Sequence, residues 1–168
     1  MKKWIKDFLQ NKENQELINK GDWEKLYEKV SFLMNTSMLD DELESVWELT
    51  SIIHDSGIAF LNDPNLTSIP NHMFYGCKDR QFEIIEIPDH ITQIGAEAFS
   101  MSESIKKIIL PKHLEEIYIY AFAYSDIEEI HYPGTEEEFY NNLSINDTIF
   151  EGCEKLKLYF NDGKVKIV

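Results

Sequence analysis

Hydrophobic and polar positions recur at a fixed spacing in the middle of the chain. The segment 87–99 reads Ile-Pro-x-x-Ile-x-x-Ile-x-x-x-Ala-Phe, and the segment 110–122 repeats this order 23 residues later. Weaker copies end at Phe74 and Phe150. A fixed period of this length predicts a solenoid, in which each repeat buries its apolar face against the next repeat.

The pattern also predicts one short strand in each repeat, with part of its side chains directed inward. Aligned on the prolines, three successive strands have these inward residues: Phe82, Ile85, Ile87, Ile105, Ile108, Leu110, Ile127, Ile130 and Tyr132. Strands of this kind, one from each repeat, build a parallel sheet that is buried on its inner face.

The residues after the third strand predict the end of the stack. Thr-Glu-Glu-Glu at 135–138 is a capping box that opens a short helix through Phe139 and Tyr140. The segments 156–160 and 164–168 flank an Asn-Asp-Gly turn, which predicts a β-hairpin. Such a hairpin would cover the edge of the sheet.

Residues 1–57 follow helical spacing instead. One face of a first helix is apolar, and this face consists of Trp4, Ile5, Phe8 and Leu9. Further helices are predicted at 23–33 and 40–56. We therefore predict a helical domain at 1–57 and a repeat domain at 58–168, with the three tryptophans in the core of the helical domain.

Three motifs carry a family resemblance. They are Ile-Pro-x-x-Ile-x-x-Ile-Gly-x-x-Ala-Phe at 87–99, Phe-x-Gly-Cys at 74–77 and Tyr-x-Gly-Thr-x-x-Glu-Phe at 132–139. These motifs are similar to the BspA-like leucine-rich repeats of bacteria, and the resemblance covers about residues 60–168. Together with the helical segment, it predicts an α+β chain: an N-terminal helical head followed by a short leucine-rich-repeat solenoid with a parallel sheet, capped by a helix and a β-hairpin.

The resemblance implies protein binding without catalysis. Many members of this family are surface proteins that adhere to host or matrix components, and small intracellular and phage-borne relatives also exist. In this chain, charged residues interrupt any secretory signal near the start, and no apolar run approaches the roughly 20 residues that span a bilayer. We therefore expect a cytoplasmic protein, which is a departure from the surface-bound members.

The two cysteines, Cys77 and Cys153, occupy the same place in different repeats. Neighbouring strands lie about 4.8 Å apart, so three steps along the stack separate the pair by roughly 14 Å. A disulfide needs Cα atoms within about 7 Å of each other. We expect both cysteines to be small buried hydrophobic residues.

Negative charge is concentrated in one part of the chain. The net charge is −15, and the stretch between Lys112 and Lys155 has eleven carboxylates and no lysine or arginine. Such a field repels nucleic acid and anionic membranes, and it attracts a protein with a basic surface. Two interpretations stay open: the surface imitates nucleic-acid phosphates and blocks a basic groove, or it only keeps the protein soluble.

Three columns of side chains face outward in the predicted sheet. They are Glu83, Lys106 and Glu128, then Ile84, Lys107 and Glu129, then Glu86, Ile109 and His131. The first column predicts a ladder of opposite charges. Ile84 and Ile109 are apolar where solvent is expected, so they form a binding patch or pack under the helical head. The candidate partner-binding residues are Ile84, Glu86, Lys107, Ile109, Glu128, Glu129, His131, Glu136, Glu137 and Glu138.

Catalytic and cofactor motifs are absent from the sequence. It offers no activated nucleophile, oxyanion site or phosphate loop, and no ligands at zinc or EF-hand spacing. His90 and His113 occupy equivalent positions beside prolines, which indicates a turn or surface role. We therefore expect no enzyme activity, cofactor or metal, and a hydrolase with an acidic site is only a third interpretation.

The leading interpretation is an intracellular protein-interaction module. In its most specific form, the protein is a phage-derived inhibitor whose acidic surface blocks a basic groove of a host protein that binds nucleic acid or acts in defence. The alternative is a surface-adhesion repeat protein that binds host or matrix proteins.

Overall fold

The computed structural model describes residues 2–20, 22, 25, 26, 28–30, 32, 49, 61–77 and 82–168. Most of the predicted helix at 40–56, part of the helix at 23–33 and the predicted boundary between residues 57 and 58 lie outside these ranges. Trp23 and Trp47 lie outside them as well. Of the three tryptophans, Trp4 is described, and it packs against the apolar core.

Two short helices begin the described chain, α1 (Lys3–Gln10) and α2 (Lys12–Lys20). The side-chain oxygen of Asn11, between them, accepts hydrogen bonds from the backbone N–H groups of Glu13 at 2.9 Å and Asn14 at 3.3 Å. These bonds satisfy two of the free donors at the start of α2. Ile5 is fully buried on the apolar face that the sequence predicts for α1.

The repeats form two sheets. In chain order the strands are β1 (Ser68–Ile69), β2 (Ile84–Glu86), β3 (Gln93–Ile94), β4 (Lys107–Ile109), β5 (Glu116–Ile117), β6 (Glu129–Tyr132), β7 (Lys157–Phe160) and β8 (Val165–Ile167). The small sheet is parallel and has the order β1-β3-β5. The large sheet has the order β2-β4-β6-β7-β8, is parallel as far as β7, and ends with β8 antiparallel at its edge.

Prolines mark the points where the chain leaves the large sheet. The backbone N–H of Ile87 donates to the carbonyl of Ile109 at 2.9 Å, and Pro88 follows immediately. Pro111 follows Leu110 in the same way in the next repeat. Because proline has no N–H to continue the ladder, the chain turns away there and enters the small sheet at β3 and β5.

Gly95 lies where the backbones of two repeats approach each other closely. Its backbone N–H donates to the carbonyl of Ile69 at 2.8 Å. A Cβ atom at this position would come within 2.7 Å of that carbonyl and of the backbone nitrogen of Asn71. The glycine of the Ile-Gly-x-x-Ala-Phe motif is therefore required by packing of backbone against backbone.

The inner face of the large sheet forms the core with the repeat turns. All nine inward positions predicted from the sequence are buried, with at most 7% of their surface exposed. The fourth strand, β7, adds Leu158 and Phe160. Burial of each large apolar side chain stabilises the fold by about 1.5–3 kcal/mol.

A column of four phenylalanines runs through the repeats, and we call it the phenylalanine stack: Phe74, Phe99, Phe122 and Phe150. We number the repeats one to four by these residues. Successive ring centroids are 5.1, 5.5 and 5.7 Å apart, and the rings are within 20° of parallel. The first three rings are buried and the fourth is half-buried. The stack therefore has nearly the same spacing as the strands, which lie about 4.8 Å apart.

Small polar side chains satisfy carbonyl groups inside the turns. The hydroxyl of Ser102 donates to the carbonyl of Phe74 at 2.7 Å, and the thiol of Cys153 donates to that of Phe122 at 3.1 Å. Cys77 and Cys153 are both free and buried, as the sequence predicts. Hydroxyl and thiol groups at these positions keep buried carbonyl groups hydrogen-bonded between neighbouring repeats.

Helix α3 (Glu136–Asn142) interrupts the fourth repeat. The predicted capping box is present: the hydroxyl of Thr135 accepts from the N–H of Glu138 at 3.1 Å, and the Glu138 carboxylate accepts from the N–H of Thr135 at 2.7 Å. After α3, Ser144 bridges to Glu116 and so continues the small sheet. The chain then returns to the large sheet as β7 and ends in β8.

We predict that Phe99→Ala lowers the free energy of unfolding by about 3–5 kcal/mol, because it leaves a cavity between two stacked rings. Phe150→Ala should cost clearly less, since this ring is half-buried at the end of the stack. Urea denaturation followed by circular dichroism measures both values. Equal losses of stability at Phe99 and Phe150 would contradict a stack in which an inner ring packs against two neighbours and the end ring against one.

Candidate protein-binding surface

The outer face of the large sheet brings together two rows of side chains, which we call the sheet face. One row is Ile84, Lys107, Glu129 and Lys157, and the other is Glu86, Ile109, His131 and Tyr159. The register of the first three strands is the one predicted from the sequence. Lys157 and Tyr159 on β7 were not predicted, because the longer fourth repeat hides their alignment.

Glu129 is the centre of a charged cluster on the sheet face. Its carboxylate lies 2.8 Å from Nε2 of His131 and 3.3 Å from Nζ of Lys107. The hydrogen bond from His131 is the main cause that lowers the pKa of Glu129; partial desolvation opposes it, and Lys107 lowers the pKa further. The ring of His131 in turn stacks on Tyr159, with centroids 4.5 Å apart and planes 11° from parallel.

The predicted charged ladder of Glu83, Lys106 and Glu128 does not form as expected. Nζ of Lys106 lies 3.3 Å from the carboxylate of Asp126, in the turn before β6. This column is joined by its backbone instead, since the carbonyl of Glu83 accepts from the N–H of Lys106 at 2.8 Å. The N–H of Glu128 donates to the carbonyl of Lys106 at 2.9 Å. The long lysine side chain thus reaches an acid that strand alignment does not place beside it.

The two outward isoleucines differ in exposure. Ile84 lies on the edge strand β2 and is 62% exposed, whereas Ile109 is half-buried between Glu86 and His131. Ile84 also lines a shallow groove with Phe82 and Pro88. The sequence allows either a binding patch or packing under the helical head for these residues. The exposure of Ile84 is what a patch open to solvent requires.

The three acids of α3 are separate from the sheet face. Glu138 is held in the capping box, and Glu136 pairs with Lys164 at 3.4 Å. Glu137 is exposed. Six of the ten candidate residues therefore lie in strands of the large sheet, Glu128 precedes β6, and the last three lie on α3.

Exposed apolar residues on the repeat turns were missed by sequence reasoning. They are Met101, Tyr118, Ile119 and Tyr124, and between 41% and 55% of their surface is exposed. A signal was present in the alignment, because Met101 and Tyr124 stand two residues after a stacked phenylalanine, where the outer repeats have Gly76 and Gly152. All four of these positions have a left-handed backbone, with φ between 54° and 73°. That conformation costs a residue with a side chain about 1–2 kcal/mol.

Tyr124 and Tyr118 each have a carboxylate nearby. The Tyr124 hydroxyl donates to Glu151, and this bond is the main cause that raises the pKa of Tyr124. A hydrogen bond to Glu116 likewise raises the pKa of Tyr118. The ring of Tyr124 lies over Gly152, where a Cβ atom would clash with it.

The histidines beside the prolines are not equivalent in the structure. His113 is exposed, but His90 is half-buried, and its Nε2 atom is buried without a hydrogen-bond partner among the described residues. Within the same ranges, no group of three His, Cys, Asp or Glu residues could hold a metal ion. None of the helices in those ranges is long and apolar enough to cross a membrane.

Comparison with known proteins gives two matches. The model of the BspA type leucine rich repeat region matches residues 56–157 in six copies. A crystal structure of a leucine-rich repeat protein from Bacteroides ovatus is 28% identical, with a TM-score of 0.33. That match covers 55% of this chain and 28% of the Bacteroides ovatus chain, so this protein spans little more than a quarter of its relative. No curated protein matches the sequence.

We predict that His131→Ala raises the pKa of the Glu129 carboxyl towards its ordinary value and that Lys107→Met raises it less. Lys106→Met is the matched control and should leave it unchanged, because Lys106 pairs with Asp126. Titration of the carboxyl carbon by NMR measures the three values.

The sign of the linked stability change follows from the lowered pKa. The cluster of Glu129, His131 and Lys107 stabilises the fold at pH values above the pKa that Glu129 has in the unfolded chain. This contribution is lost as the pH falls through the lower pKa of Glu129 in the folded protein. The effect should be small, since the side chain is 39% exposed and screened by solvent. An identical Glu129 pKa in the wild type and His131→Ala would contradict the assigned hydrogen bond.

Proposed function

Because the chain belongs to the BspA-type leucine-rich repeat family, we propose that it is a protein-interaction module that acts without catalysis. Repeats of this family typically serve as interaction scaffolds. The observation that carries the proposal for this chain is the sheet face, an outward surface on which Ile84 is 62% exposed and whose other strands have charged and aromatic side chains. Interfaces commonly combine apolar anchors of this kind with a polar rim.

We infer that the partner has a basic surface. The net charge of −15 favours association with a cationic protein and accelerates it. The negative charge is not spread evenly over the surface. Two lysines, Lys107 and Lys157, lie on the sheet face and offset part of it there. The acidic part of the contact is therefore proposed for Glu128 and Glu137, which are exposed at the border of the sheet and on α3.

The same charge argues against direct binding of nucleic acid or anionic membranes, because like charges repel. A more specific form of the proposal is that the acidic surface imitates phosphates and occupies a basic groove of a host protein. The exposed carboxylates of the third and fourth repeats support this form. Phage origin and the alternative of surface adhesion stay predictions from the sequence.

Charge reversal tests the acidic contact. We expect Glu128→Lys with Glu137→Lys to weaken binding to basic proteins about tenfold at low salt. The control is Asp7→Lys with Glu28→Lys, which reverses two exposed acids elsewhere. Each reversal adds two charges, so both variants change the net charge from −15 to −11. Binding is measured by calorimetry against a panel of basic and acidic proteins of matched size.

Equal binding by the two variants would show that only total charge matters, and the acidic contact would then be wrong.

The hypothesis that the acidic surface imitates phosphates has its own test. The protein should compete with DNA for a protein with a basic groove, and the Glu128→Lys, Glu137→Lys variant should compete about tenfold less well. Simultaneous binding of DNA and of this protein to the groove would contradict that form.

A further inference from the structure

We propose that the repeat turns bind an arginine-containing segment of a partner protein. The proposal rests on the interaction function above, but it places a contact on the turns instead of on the sheet face. The name turn face is used for exposed residues on the two turns that flank Phe122. Tyr118 and Ile119 with Glu116 precede Phe122, and Tyr124 with Glu151 follows it, next to the turn of Met101.

The apolar residues of the turn face are not required by the repeat. Residues 118–120 of the third repeat read Tyr-Ile-Tyr, whereas the equivalent turns read Gly-Ala-Glu at 95–97 and Asn-Asp-Thr at 146–148. The neighbouring repeats therefore build the same turn with small or polar side chains. Since Tyr118 and Ile119 are 41% and 48% exposed, packing explains only part of their surface.

Residue type, at a shared backbone conformation, distinguishes Met101 and Tyr124 from the equivalent residues of the outer repeats. Met101 and Tyr124 hold left-handed positions that glycine occupies in the first and fourth repeats. Glycine would adopt this conformation without strain. Left-handed non-glycine residues also recur at His72, Glu97 and Tyr120, so the turns of this repeat accept side chains in that conformation.

The backbone places the turns of Met101 and Tyr124 side by side. The N–H of Met101 donates to the carbonyl of Ala123 at 3.0 Å, and the N–H of Tyr124 donates to that of Glu151 at 2.7 Å. Tyr124 therefore lies between the second and fourth repeats. Its ring rests on Gly152, and its hydroxyl is held by Glu151. A ring fixed in this way loses little freedom on binding, which is typical of aromatic anchors at interfaces.

Charge complementarity identifies the occupant. The hydroxyl of Tyr124 donates to Glu151. The groove beside this ring is lined by three carboxylates and two lysines, which are Asp126, Glu128, Glu154, Lys106 and Lys155, so carboxylates outnumber cations there. An arginine can stack its planar guanidinium on a tyrosine ring while it donates to a nearby carboxylate. A lysine ammonium lacks this planar geometry. Elsewhere in the described part of the chain, Nζ of Lys166 lies 4.2 Å from the ring centre of Tyr140.

The test compares two short peptides, one of alternating arginine and glycine and one with lysine in place of arginine. At physiological salt, which weakens long-range attraction, the wild-type protein should bind the arginine peptide about fivefold more tightly. NMR shifts should change at Tyr118 and Tyr124. No binding, or equal affinity for the two peptides, would overturn the proposal.

Tyr124→Gly separates a binding role from a structural one. It restores the glycine of the outer repeats, so the melting temperature should stay the same or rise, whereas affinity for the arginine peptide should fall about tenfold. Tyr124→Phe keeps the ring and should retain most of the affinity. Tyr140→Ala, which removes an exposed ring on α3, is the control and should bind as the wild type does.

The outcomes distinguish this proposal from the proposed function. Unchanged peptide affinity in Tyr124→Gly, or a clear fall in its melting temperature, would overturn the turn face and leave the acidic contact at Glu128 and Glu137 untouched. Conversely, loss of affinity in Tyr124→Gly with no effect of the Glu128→Lys, Glu137→Lys variant would support the turn face and contradict that acidic contact.

Discussion

The repeats depend on one constraint, which is that the phenylalanine stack and the two sheets must keep a common spacing. The stacked rings are 5.1–5.7 Å apart, although the phenylalanines are separated by 25, 23 and 28 residues in the sequence. Extra residues must therefore leave the stack without shifting the next ring. The longest spacing does so through α3, which lies between β6 and the bridge at Ser144. The insertion leaves the register of the strands unchanged, because α3 lies in the segment that connects the two sheets and not in a strand.

This constraint explains which features the sequence could predict. A residue's place in its repeat determines whether it faces the core, so the nine inward positions and the rows containing Ile84 and Glu86 follow from alignment alone. Local motifs such as the capping box of α3 are also predictable, because they depend on four consecutive residues. Lys157 and Tyr159 were missed because α3 lengthens the repeat before them.

The ion-pair partners of the lysines were harder to predict than the rows of the sheet in which the side chains lie. Alignment places Lys106 between Glu83 and Glu128, but its flexible chain reaches Asp126 instead. The acidic stretch shows the same limit, since Lys106, Lys107 and Lys164 come from outside it and pair with three of its eleven carboxylates. A count of charges along the sequence therefore overstates the uncompensated charge of the folded surface. Long side chains can cross from one repeat to the next, and sequence distance does not limit them.

The turns show how a regular scaffold can hold residues that its own repeat disfavours. Met101 and Tyr124 occupy left-handed positions, and each has its N–H fixed by a carbonyl of the following repeat. Because the sheets and the phenylalanine stack hold the repeats on both sides, the surrounding structure over-determines these conformations. The strain is therefore local and does not distort the stack. A sequence change at such a position alters the exposed surface while the core residues stay as they are, so the turns can acquire binding residues independently of the fold.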